Sequence, residues 1–353
     1  MSRWSTIPLL LLAGACTSDP RAFHGKRLFE PDPRDTLWED FHVGVNVPWR
    51  SYGNDFGDNA WAVGGIEDHA EAIDRVFARL DDADVRVARW FVLTDGRAGI
   101  DFDAAGMPIE VQEDALADLV LMLDLAYDHG IFVVPVLLDF PWCAPALEDG
   151  GVQMGGHCGL LADEMGRDAL VEQVVRPVVA EVGDHPAVLA WDLINEPEWA
   201  TVELGGGWLG DGVPAADLLE FTRAATVVVR EETEQRVTVG SASTAMGSAL
   251  WAGEDLDFVQ VHSYDGAAQT TEADHVAAGA PVVVGEVGTS VEYGLLTDNL
   301  DALHARGYHG VWPWSLQADD DASALDLDTL AGWSSPEVSE RRSRPISEVR
   351  PTR

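Results

Sequence analysis

The chain alternates short, wholly apolar runs with longer amphipathic stretches. Apolar runs of this kind read as strands buried on both faces, and the stretches between them carry helical spacing. Eight runs are predicted as strands: Phe41 to Val47, Asp84 to Leu93, Ile131 to Leu138, Val188 to Ile194, Arg236 to Gly240, Phe258 to His262, Val282 to Glu286 and Gly310 to Ser315. Between them the pattern predicts helices over 67–80, 114–128, 163–182, 214–234, 271–278, 292–306 and 322–331. In the first of these Ala70, Ile73, Val76, Phe77 and Leu80 share a face, and Pro177 should kink the third. Eight alternating units predict an α/β fold, a single (β/α)8 TIM barrel with elaborated loops on the C-terminal face. No Gly-rich phosphate loop follows the first strand, so an open doubly wound sheet is the weaker reading.

Two of these strands end in a carboxylate. The stretch Ala187 to Trp199, AVLAWDLINEPEW, runs apolar into Asn195 and Glu196, and Pro197 biases Glu196 away from helix. The run Pro281 to Glu286, PVVVGE, delivers a second Glu. In a parallel barrel all strand C-termini gather on one face. Two carboxylates converging there match the needs of glycoside hydrolysis: an acid for the leaving oxygen and a nucleophile or base opposite it.

Composition narrows the partners. The net charge is -39, from 22 Lys+Arg against 61 Asp+Glu, a surface that repels nucleic acid and anionic lipid and suits a neutral glycan. The residue types present call for no cofactor and no metal site, and a monomer is expected.

The N-terminus reads as an export signal, with Arg3 ahead of a short apolar run, Ile7 to Ala15, too short to span a bilayer. Its end, Leu12-Ala13-Gly14-Ala15-Cys16, resembles a bacterial lipoprotein signal in which Cys16 is lipidated, although Ala13 stands where Leu is usual. That implies a cell-envelope lipoprotein, touching membrane only through the anchor; a plain cleaved signal and secretion is the alternative. The chain accordingly divides into a signal peptide, 1–16, a tether, 17–38, a catalytic barrel, 39–333, and a polar tail, 334–353. Cys143 and Cys158 lie 15 residues apart in one loop and would pair in an oxidising compartment; two free thiols are the alternative.

With both carboxylate strands placed, the chain resembles the retaining glycoside hydrolases of the cellulase and endo-mannanase type, glycoside hydrolase family 5 and its clan. The resemblance spans roughly 40–330 and is densest where VVRPVV is followed by DHPAVLAWDLINEP. It implies Glu196 as acid/base, Glu286 as nucleophile and Asn195 as the contact to the sugar 2-hydroxyl. By the same resemblance Arg89, rather than Arg86, holds the nucleophile ionised, and Tyr264 contacts it. His262 lies beside the acid/base, and Trp314, rather than Trp312, floors the subsite at the cleavage point. The chain departs from that pattern with Asp139-Phe140-Pro141-Trp142 after the third strand and Glu198-Trp199 after the Asn-Glu-Pro, both expected in substrate-contact loops. Trp49, Trp142, Trp199, Trp208 and Trp251 fall on predicted rim loops and about half should touch sugar, because pyranose faces pack on indole rings. The expected substrate is a β-glucan or β-mannan. A transglycosylase, an exo-acting β-glycosidase or a non-catalytic sugar-binding surface lipoprotein on the same barrel are the competing readings.

Overall fold

The computed structural model describes residues 34, 37–61, 65–205, 209 and 212–333. The segments expected as signal peptide and polar tail, Cys16, nearly all of the expected tether, and Trp208 lie outside the described residues. Among the described residues no helix is long and apolar enough to cross a membrane.

The predicted strands form one parallel sheet that closes on itself. The second strand is Val87–Phe91, the third Phe132–Asp139, the fourth Ala190–Asn195 and the fifth Arg236–Ser241. The sixth is Val259–His262, the seventh Val282–Glu286 and the eighth Gly310–Val311. Each pairs in parallel with the next. The first strand closes the ring in two halves: His42–Val43 pairs with the eighth strand and Val45–Asn46 with the second. Gly44 is the joint. A Cβ there would stand 2.5 Å from Trp312 Cδ1 and 2.9 Å from Val87 Cβ, so only glycine lets the strand pass between its two neighbours.

The strands are buried along nearly their whole length, which is why their sequences run apolar without alternation. Outside them, the helix Ala70–Asp82 buries Ile73, Val76, Phe77 and Leu80. The helix Glu113–Asp128 buries Leu119, Leu123 and Ala126 against the barrel, and Leu116 and Val120 are half-buried. The predicted break at Pro177 is accommodated upstream: Val171–Val175 widens into a π-helical turn before the helix Arg176–Val182 resumes. A proline lacks the N–H that would bond the preceding turn, and a wider turn relieves the clash.

Three expectations are corrected. The helix expected over 292–306 begins only at Leu296, because Gly294 (φ 83°) breaks a preceding single turn, Val291–Tyr293. The helix expected over 322–331 is confined to Leu327–Gly332, because Thr289 Oγ1 accepts from the Ala324 N–H and Asp320 from the Ala322 N–H, holding that segment as a loop. The predicted helix over 271–278 shrinks to Ala273–Val276. Two hairpins on the C-terminal face were not anticipated: Ile100–Phe102 with Pro108–Val111, and Leu147–Asp149 with Val152–Met154.

Candidate active site

The fourth and seventh strands bring Glu196 and Glu286 to the same end of the barrel. One carboxylate oxygen of each, together with His262 Nδ1, lie within 4.8 Å of one another. Backbone irregularity aims them. Glu196 takes a left-handed conformation (φ 44°, ψ 43°) between the strand and a short turn that opens with Pro197. A non-glycine residue held there stores strain of about 1–3 kcal/mol, a feature concentrated at functional sites. The register shifts at Val261/His262, opposite Glu286, and again at Thr238/Gly240, opposite Asn195, and such bulges re-aim side chains at strand ends.

Beneath the pair lies a buried polar lattice centred on Arg89. Its guanidinium, fully shielded from solvent, donates from Nη1 to Glu286 Oε1 at 2.6 Å and to Asn46 Oδ1 at 3.1 Å. From Nη2 it donates to Asn195 Oδ1 at 2.7 Å, and from Nε to Asp192 Oδ2 at 3.0 Å. Arg86 is instead at the surface, paired with Asp81 and Asp84. Asp192 also accepts from Gln260 and from the Gly240 N–H, and Asn46 donates to the Gly285 and Trp312 carbonyls. Sequence reasoning missed Asn46, Asp192 and Gln260. A lone acid inside the run AVLAWDLIN was a usable signal for Asp192, since a buried carboxylate requires a partner.

The two carboxyls have different surroundings. Burial pushes the Glu196 carboxyl up to about 7, with the Trp199 N–H and the Arg89 charge acting weakly the other way. Glu196 Oε2 accepts from Trp199 Nε1 at 2.9 Å, and Oε1 faces His262 Nδ1 at 2.7 Å. Burial of the His262 ring lowers it to about 4, so the imidazole is neutral at pH 7. The 2.7 Å contact then needs one shared proton, on Glu196 in its acid form and on Nδ1 when Glu196 is ionised. Burial also raises Glu286, but the Arg89 charge and the Tyr264 hydroxyl favour its ionised form. The hydroxyl donates to Glu286 Oε2 at 2.7 Å.

A cleft of about 590 Å³ opens over the pair, with Trp49, Tyr52, Asp139, Tyr264, Trp314 and Asp320 in its lining. Trp314 stands edge-on to Trp49 and Phe91, and its Nε1 donates to Asp320 at 2.8 Å. Trp312 is fully buried at the other end of the barrel, with Phe258 and His42. Asp139 was anticipated only as a departure. It receives the Asn195 amide at 2.9 Å, the Phe140 N–H at 2.9 Å and the Tyr52 hydroxyl at 2.8 Å, and burial lifts it to about 7.

Among the predicted rim tryptophans, Trp49 lines the cleft and Trp199 touches Glu196. Trp142 is corrected: the single turn Phe140–Cys143 folds it inward, fully buried against His157 and Phe102. Trp251 is likewise buried, donating to Glu198 at 2.6 Å. Glu198 is no substrate contact either, because Ser241, Ala242 and Trp251 enclose it. Cys143 and Cys158 are joined as a disulfide. Among the described residues, one trio of metal-ligand type converges, Glu196, His262 and Glu286. Arg89 and Tyr264 already engage both oxygens of Glu286, an arrangement that suits a charged nucleophile.

No family model matches the chain. A mannan endo-1,4-beta-mannosidase of Cryptopygus antarcticus is 23% identical over 328 residues, covering 80% of this chain and 82% of that protein. The solved endo-1,4-beta-mannanase of Eisenia fetida superposes with a TM-score of 0.70 at 22% identity, covering 88% of this chain and 92% of that one. The beta-1,4-D-mannanase structure from Cryptopygus antarcticus gives 0.69 at 20% identity, over 83% and 89%. The fold is the one the motifs' resemblance implies: the chain is a (β/α)8 barrel, similar in sequence and structure to these mannanases.

Proposed function

We propose that the protein is a retaining β-glycoside hydrolase acting on β-1,4-mannan. The observation that carries the mechanism is the spacing of Glu196 and Glu286, whose nearer oxygens lie within 4.8 Å. Retaining enzymes hold their two carboxyl groups about 5–5.5 Å apart, and inverting ones leave about 6.5–9.5 Å for a water. Glu286, held by Arg89 and Tyr264, attacks the anomeric carbon while Glu196 gives its proton to the departing oxygen. The glycosidic C–O bond breaks as the bond from Glu286 forms. Glu196 then takes a proton from an incoming water, whose oxygen displaces Glu286 and restores both carboxyls. Asn195, fixed between Arg89 and Asp139, offers its amide edge to the sugar, and Trp314 gives the ring a flat apolar floor.

The choice of mannan rests on the curated relative and the solved neighbours, which are mannanases by name. Release of reducing ends from β-1,4-mannan, β-1,4-glucan, β-1,3-glucan and xylan tests it. Mannan should be cleaved fastest. Oligosaccharide binding without release of reducing ends from any of the four would favour a sugar-binding protein instead.

We further propose that the protein is exported and anchored through Cys16, a reading supported by the apolar run before it and by the Cys143–Cys158 bridge. Incorporation of labelled fatty acid that is lost in Cys16→Ala tests the anchor.

A further inference from the structure

On the side of the first two strands, a row of side chains leads outward from the cleft's lining. Tyr52 lines the cleft, and behind its ring lies the Arg97 guanidinium, 4.8 Å from the ring centroid. Next in line is Trp61, its ring centroid 5.9 Å from the same guanidinium. All three sit on loops that follow the first and second strands, and so on the face that carries Glu196 and Glu286.

Trp61 is exposed, with 42% of its surface open, while nearly every other described tryptophan is packed or hydrogen-bonded inward. It is nonetheless fixed in place. Its backbone N–H donates to Asn59 Oδ1 at 2.8 Å, and the Asn59 amide donates to the Arg97 carbonyl at 3.1 Å. Below it runs the turn of the Leu147–Met154 hairpin, where a Cβ on Gly150 would stand 3.3 Å from Trp61 Nε1. That hairpin springs from the loop closed by the Cys143–Cys158 bridge. Held this way, the ring keeps a flat apolar face, with a polar N–H at its edge, turned to solvent.

The polar neighbours fit a neutral partner. Arg97 gives Nε and Nη2 to Asp95, at 2.9 and 2.6 Å, so its charge is offset. Its Nη1 makes no hydrogen bond among the described residues, which leaves a donor for a ligand oxygen. A flat indole face beside the Nη1 donors of a charge-paired guanidinium is the chemistry that receives a pyranose ring and one of its hydroxyls.

We propose that Trp61 and Arg97 form a distal sugar subsite, which takes a further unit of a β-linked chain whose scissile bond lies between Glu196 and Glu286. The inference rests on the hydrolase reading above and adds that the cleft is open at this end. A chain would pass Tyr52 and continue over Trp61, as internal cleavage of a polymer requires.

Titration calorimetry of β-1,4-mannooligosaccharides of increasing length, on the Glu286→Gln background, tests this with and without Trp61→Ala. Affinity should climb with length, and the step for the unit that reaches Trp61 should shrink by about fivefold in the alanine variant, with Trp61→Phe restoring part of it. Thermal midpoints of the variants report whether the fold is intact. Identical length dependence with and without the indole overturns the subsite, and reducing-end release by the wild-type protein in the same preparation shows that the hydrolase reading survives. If no glycan binds and none is cleaved, both fall together.

Discussion

Arg89 Nη1 stands 2.6 Å from Glu286 Oε1, with the guanidinium wholly removed from solvent. Other N–H groups of the same guanidinium hold Asp192, Asn195 and Asn46, so one side chain fixes Glu286, its neighbour on the fourth strand and the floor beneath both. Lysine offers a point charge and no fork. Arg89→Lys should therefore lower kcat on mannan by at least about 100-fold, the scale of removing one preorganised donor. Arg89→Met should also destabilise the fold by about 3–5 kcal/mol, because Asp192 would remain buried without its cation. Steady-state kinetics and denaturant unfolding of the two variants check both statements.

As the proposed acid, Glu196 must hold its proton when substrate arrives. Burial sets that carboxyl near 7, so kcat/KM should fall as pH rises through about 7. Asp139, on the neighbouring strand, is lifted to about 7 by burial, against the three donors Tyr52, Phe140 N–H and Asn195, so it becomes negative over the same range. Other charged groups facing the pair are Arg89, Glu286 and, beyond Tyr52, Asp95 and Arg97. Removing one negative neighbour makes Glu196 easier to ionise. Asp139→Asn, which preserves shape, should move the alkaline limb to lower pH, and a pH–rate profile reads the shift directly.

The same two carboxyls shape stability. Their folded values are raised above the unfolded ones, so the stability they lend is full below the ordinary carboxylate range and is lost as pH rises through about 7. Glu196→Gln removes a group that resists ionising in place. The variant should gain in thermal midpoint over wild type at pH 8 and gain less, or nothing, at pH 5, as calorimetry at the two values would show.

The Cys143–Cys158 bridge closes a 15-residue span between the third strand and the helix beyond it. In the chain-entropy view such a closure is worth about 3 kcal/mol, with native strain subtracting from it. Replacing both cysteines with alanine should lower the denaturation free energy by up to about that amount, and reductant should then cease to affect the thermal midpoint.

Most of the barrel was legible because its strands are buried on both faces. Val133 to Leu138 and Val282 to Val284 carry no polar side chain, and nothing else in a chain of this composition explains such runs. Glu196 and Glu286 could be found because each ends such a run, and a strand end in a parallel barrel has only one destination. What could not be read were contacts that no periodicity encodes. Trp142 lies in a rim loop by sequence, yet the turn after Asp139 tucks it beneath Phe102 and His157. The expected helix at Ala322 was lost to side-chain bonds from Thr289 and Asp320. One signal was present and unused: Gly150-Gly151, both with positive φ, sits between short runs, as a two-residue hairpin turn demands.

A carboxylate oxygen of Glu286 is the proposed atom that bonds to the sugar. Incubation with an activated 2-deoxy-2-fluoro β-mannoside, followed by peptide mass spectrometry, reads this directly. A single added glycosyl mass on the peptide carrying Glu286, absent from Glu286→Gln, is the predicted result. A label on another residue, or an active enzyme that never acquires one, would contradict it.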